Sequence, residues 1–182
     1  MKLIFSLVLI ALALVVVPTV SGQQQSEYLS LRLEMERAIR KGNAFLATQQ
    51  GKEGFWGEKE TPAITALVLA AMVRDPGLDY TKPHPQHVEQ GFDWLVQQQK
   101  DDGGIYVKGL ATYNTSSAIM ALLARDREED RPIILKAREF LINQQTDWGN
   151  KGSADNKYDG GIGYGGTYAH SDLSNTYLAM EA

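Results

Sequence analysis

The side chains best suited to chemistry lie near the end of the chain. His170 stands two residues before Asp172, and the segment continues Leu173-Ser174-Asn175-Thr176-Tyr177. An imidazole and a carboxylate at that spacing suit one edge of a metal site or an acid–base pair. The pair reads more simply as a helix cap, Asp172, beside a solvated loop histidine. His84 and His87 flank Pro85 as a second two-imidazole set, but His87 also falls in a helical column. Gly161 to Gly166 has the glycine spacing of a dinucleotide loop, yet no strand precedes it. Asp155 to Gly160 has the outline of a calcium loop, but Lys157 stands where the second oxygen ligand belongs and Gly166 where the bidentate Glu belongs. Neither reading is retained. The chain has no Cys, which excludes a disulfide, a thiolate zinc site and a Cys nucleophile. No metal and no cofactor is expected.

These residues sit in a chain of 182, of which 43% are hydrophobic and 22% charged, the balance of one globular domain. A net charge of −4 supplies no field for nucleic acid or anionic lipid. Residues 1–22 stand apart: after Lys2, Leu3 to Val17 is apolar except for Ser6, and Pro18 and the small pair Ser21-Gly22 follow. The run falls short of the roughly 20 residues of a bilayer span and has the small-residue exit of a secretory signal. Cleavage after Gly22 leaves 160 residues; loss of Lys2 leaves 17 basic against 22 acidic side chains, a charge of −5. The domain is therefore expected outside the cytoplasm.

Beyond a lead-in over 23–35 the chain repeats. Gly42 to Gln50, Gly91 to Gln99 and Ala137 to Gln145 superpose, with spacings of 49 and 46 residues between their last glutamines. Each has a small residue, an aromatic three later (Phe45, Trp94, Phe140) and then Leu, and extension backwards completes an apolar helical stripe. After each glutamine comes a glycine-aromatic turn: Gly54-Phe55-Trp56-Gly57, Gly103-Gly104-Ile105-Tyr106 and Gly160-Gly161-Ile162-Gly163-Tyr164. A nearly uncharged second helix follows, expected over Pro62–Val73, Thr115–Ala124 and Asp172–Met180, capped by Thr61, Asn114 and Ser171 or Asp172. In this register Thr65, Ser117 and Asn175 are level. A helix nearly free of charge is buried on most sides and a charged one faces water, so the unit is a hairpin with the charged helix outside. The class is all-α, in three units: 36–82, 83–131 and 132–182.

Lys41-Gly42, Phe45-Leu46, Gln50 and Gly54-Phe55-Trp56 together resemble the Gln-Trp motif of squalene and oxidosqualene cyclases. The second copy matches through Gln99 and Gly103 and has Ile105 in place of Trp. The third matches from Lys136 to Gln145 and then carries an insertion. The stretch from Asp159 to Tyr177 is similar to a repeat of protein prenyltransferase β subunits. The resemblance covers about residues 36–182 and implies an α/α toroid whose inner helices line an apolar cavity for an isoprenoid chain. It makes Gln50, Trp56, Gln99 and Gln145 structural, with ligand-facing candidates at inner-helix starts and turns: Trp56, Tyr113, His170, Asp172 and Asn175. Asn114-Thr115-Ser116, an N-glycan acceptor in a host that glycosylates, would lie at the toroid mouth.

The chemistry of those relatives is missing from this chain. The cyclases protonate their substrate from an Asp-x-Asp-Asp-Thr-Ala segment, and here Ser174 and Asn175 replace the acid pair after Asp172. Zinc prenyl transfer needs a Cys, as does the thioester chemistry of complement-type toroids. Such a ring takes about five to seven hairpins and this chain has three, so the remainder is expected from a longer polypeptide or from a second copy as a homodimer. The expectation is a secreted scaffold around an apolar, isoprenoid-type cavity. One alternative is a non-catalytic toroid holding a protein or glycan on Phe55, Trp56, Tyr106, Tyr158, Tyr164 and Tyr168. The other is the N-terminal part of a triterpene cyclase whose acid lies beyond residue 182.

Overall fold

The computed structural model describes residues 22–165 and 170–182, with side chains from residue 28 onward. The expected signal segment, but for Gly22, and Tyr168 lie outside the described residues. Six α-helices follow in order among those residues: α1 Gly22–Thr48, α2 Pro62–Val73, α3 Gln86–Val96, α4 Ala111–Arg125, α5 Arg131–Ile142 and α6 Leu173–Glu181. A 3-10 turn, Glu128–Asp130, leads into α5. The described residues form no strand; their pairings at Gln99 with Ile105 and Gln145 with Ile162 are isolated bridges. The fold is all-α.

The chain divides into two units, Met1–Ala38 and Ile39–Ala182. The described part of the first is helix and carries an exposed Arg32–Glu36 ion pair at 2.9 Å. Within the second unit α2 and α4, nearly free of charge, make the core together with one stripe each of α3 and α5. α2 has Pro62 in its first turn, where no intrahelical N–H is needed, and no charged residue along its length. It packs along α4, whose residues from Asn114 to Ile119 are all buried. α3 and α5 bury one stripe each, Val88, Gly91, Phe92 and Leu95 in the first and Ala137, Phe140 and Leu141 in the second. The centre of the core is Phe92, Leu69, Leu95, Ile105, Ile119 and Leu122.

α4 begins at Ala111, four residues before the expected Thr115. Leu110 carries the chain into it with φ of 54°, left-handed backbone that sequence pattern does not signal in a non-glycine residue. Asn114, expected as the cap of its own helix, sits inside the first turns and serves the neighbour. Its Oδ1 accepts the Ala63 N–H of α2 at 2.9 Å, while its Nδ2 donates to the Gly109 carbonyl at 2.9 Å. Thr61, the residue before α2, makes no side-chain cap. The end of α4 is held by charge. Arg125 lies 4.5 Å from the Phe92 ring centroid and between Glu89, at 3.1 Å, and Asp130, at 3.6 Å. Burial raises the Asp130 carboxyl above its usual range despite Arg125.

Candidate functional site

The glutamines tie each turn to the helix that follows. Gln50 Nε2 donates to the Gly54 carbonyl at 2.8 Å and to His87 O, in the first turn of α3, at 2.7 Å. Gln99 Nε2 does the same to Gly103 O at 3.0 Å and to Ile133 O of α5 at 2.9 Å. An amide NH2 has two hydrogens, so one side chain satisfies two backbone carbonyls at once. The turn glycines permit the approach. Gly54 and Gly103 have φ of 95° and 90°, and a Cβ on either would strike a helix carbonyl, Gln90 O in the first case and Lys136 O in the second.

A threonine on each uncharged helix fastens the other side of the turn. Thr65 Oγ1 accepts the Trp56 N–H at 3.0 Å, Thr115 Oγ1 the Ile105 N–H at 2.9 Å and Thr176 Oγ1 the Ile162 N–H at 2.9 Å. The expected level set Thr65, Ser117 and Asn175 is therefore corrected to Thr65, Thr115 and Thr176. The sequence did carry this signal as a threonine 9, 10 and 14 residues after the bonded turn residue.

The turn aromatics are consumed by packing. Trp56 is buried and its indole N–H donates to Leu46 O at 2.6 Å. Phe55 stacks on Trp94 at 4.9 Å between centroids, and Tyr106 on Phe140 at 5.7 Å, with the Tyr106 hydroxyl donating to Asp102 at 2.7 Å. Phe55, Trp56 and Tyr106 thus do not form the free aromatic surface that the protein- or glycan-holding alternative requires. Trp148 and Tyr158 remain exposed, edge to face at 5.3 Å.

At the start of α6 the site candidates separate. Asp172 is its N-cap: Oδ1 accepts the Asn175 N–H at 2.9 Å and the Ser174 hydroxyl at 2.6 Å, and Oδ2 accepts Asn175 Nδ2 at 2.8 Å. Partial desolvation pushes the Asp172 carboxyl up, but these donated bonds outweigh it and hold it below the usual carboxylate range. A carboxylate so held is a poor proton donor. Asn175 is buried with its Oδ1 unbonded. His170 is exposed, and Tyr113 is half-buried on α4. The described geometry brings Asp172 and Asn175 together and leaves Trp56 bonded to the charged helix α1.

Other motifs resolve against chemistry. The Asp155 to Gly160 loop is closed by its own backbone: Asp159 accepts N–H groups from Trp148, Asp155 and Asn156, and Asp155 accepts from Asn150. Carboxylates that receive N–H groups are already satisfied within the loop. Asn114 is fully buried with both amide ends bonded, so it lies in the core and not at an accessible mouth, and the folded chain offers no glycan acceptor there. His84 and His87 line a small cavity of about 180 Å³ with Asp75 and Met72. Burial lowers the His84 imidazole below its usual value, the Glu89 charge opposing. Among the described residues no three His, Cys, Asp or Glu side chains gather as a metal site, and no helix is long and apolar enough to cross a membrane.

Comparison with known proteins gives one partial likeness. Over 67 residues, 35% of this chain and 13% of the other, the chain is 34% identical to the terpentedienyl-diphosphate synthase of Kitasatospora griseola. The chain thus matches about an eighth of that synthase's length. No protein-family model matches, and no solved structure matches. The likeness is a loose link to terpenoid enzymes.

Proposed function

We propose that the chain is a secreted scaffold, part of an α/α toroid, that presents the nearly uncharged helices α2, α4 and α6 to an apolar, isoprenoid-type ligand. The reading takes 1–22 as a cleaved signal, 23–35 as lead-in and 36–182 as three hairpins. The observation that carries it is the Gln clamp, built once around Gln50 and again around Gln99, each joining a glycine turn to the next charged helix. That construction joins each hairpin to the next through the same pair of bonds. Ile64 and Leu67, three residues apart on α2, are exposed large apolar groups that a ligand would cover. The partial likeness to a terpentedienyl-diphosphate synthase favours an isoprenoid over other apolar ligands. The scaffold acts without its own acid, since Asp172 is held as a bonded carboxylate and Ser174 and Asn175 stand beside it.

Thermal unfolding with squalene and with an isoprenoid diphosphate, each at tens of micromolar, tests this. A ligand that binds only the folded chain raises the midpoint, and at about 100 times its Kd adds about 2.7 kcal/mol. Midpoints unmoved by both ligands reject the isoprenoid reading. Export is tested separately: the chain recovered outside the cytoplasm should begin at Gln23.

A further inference from the structure

Of three seats for a charged helix, the described residues fill two, with α3 and α5, and leave the third open, while the third charged helix, α1, occupies none. At the first two seams the fit is the same. Gly54 and Gly103 each receive a helix carbonyl, and Leu69 and Ile119 are 0% exposed. Leu69 itself lies where a Cβ on Gly91 of α3 would stand. At the third position the parts are present and uncovered. Gly160 has φ of 76°, like its counterparts, but open space beside it. Gln145, the counterpart of Gln50 and Gln99, is exposed and makes neither of their bonds among the described residues. Met180, level with Leu69 and Ile119, is 81% exposed. These residues edge a groove of about 440 Å³ between α5 and α6, floored by Leu141 and Ile162.

The complementary surface is on α1. Trp94 and Phe140, the aromatics of α3 and α5, are 5% and 6% exposed against the preceding turn, whereas Phe45 of α1 is 63% exposed. Gly42, in the column of Gly91 and Ala137, has nothing near its Cβ position. We propose that the groove between α5 and α6 seats α1 of a second copy of this chain, with Lys41 O over Gly160, Gly42 against Met180 and Phe45 against the third turn. The groove continues a seam that the chain already builds twice within itself, and both halves of the next one belong to the same sequence. Two copies related by a two-fold axis place both α1 helices in both seats. The pairing does not depend on which ligand the inner helices take.

Sedimentation and engineered crosslinking of the chain without residues 1–22 test it. The chain should sediment as a dimer, and Phe45→Glu and Met180→Glu should each give a monomer with unchanged helical circular dichroism. Both residues are exposed within one copy, so neither substitution threatens folding. Because the chain has no Cys, the double variant Gly42→Cys with Met180→Cys should oxidise to a covalent dimer. Gly42→Cys with Lys59→Cys should not. A monomer at every concentration, its groove left to another polypeptide or to further residues of a longer one, overturns the proposal. So does a dimer that survives both Glu variants, or crosslinking that ignores the register.

Discussion

Asp172 and the turn threonines show how single side chains in this protein serve the frame. Thr115 is fully buried and its hydroxyl is the acceptor for the Ile105 N–H. Thr115→Val keeps the shape and removes the acceptor, leaving a buried N–H unpaired, which costs about 1–3 kcal/mol. Urea unfolding should show that loss with little change in slope. For Asp172 the expectation is pH-dependent. Its folded carboxyl titrates below the ordinary value of about 4, so its stabilisation is present above that value and is lost as pH falls through the folded one. Asp172→Ala should therefore cost about 1 kcal/mol at neutral pH, with the gap from wild type closing below about pH 4. Asp172 as a cap was legible in the sequence because capping is local. Asn114 was not, because its partner at Ala63 is 51 residues away, and nothing in a linear pattern distinguishes a residue that caps its own helix from one that caps another.

At the scale of helices, charge patterning carried far. Uncharged α2 and half-charged α3 and α5 run where the apolar columns put them, because burial on all sides and burial on one stripe leave different compositions. The start of α4 was missed because it follows left-handed Leu110, a backbone conformation that sequence pattern does not signal in a non-glycine residue. The joints between elements are the glycine turns, and they are not equal. Gly103→Ala must place a Cβ against Lys136 O and hold alanine at a φ of 90°, for a combined cost of about 3 kcal/mol. Gly160→Ala meets no atom among the described residues of one copy and should cost about 1 kcal/mol, the backbone strain alone. Chemical denaturation of both variants at low protein concentration checks the ordering. Equal losses would mean that the third turn is already filled in the isolated chain.

For the whole molecule the consequence is that stability should depend on concentration. A chain that leaves Met180, Phe45, Leu67 and Tyr177 in water has apolar surface to cover by association. Association that requires the folded form stabilises it by mass action, by about 2.7 kcal/mol at a partner concentration 100 times the Kd. In a domain of this size each kcal/mol moves the thermal midpoint by about 2–4 °C. The wild-type midpoint should therefore climb by several degrees from the monomeric to the dimeric concentration range, and the Met180→Glu midpoint should stay flat. Ligand binding by the inner helices raises the midpoint at fixed protein concentration, in wild type and variant alike. A scan over protein concentration with and without squalene thus separates the two effects. A flat wild-type curve that rises only with squalene would keep the ligand and remove the second copy. A curve that rises with protein and ignores squalene would leave these helices as an interface between copies, and the exposed apolar groups of α6 would be explained by that contact alone.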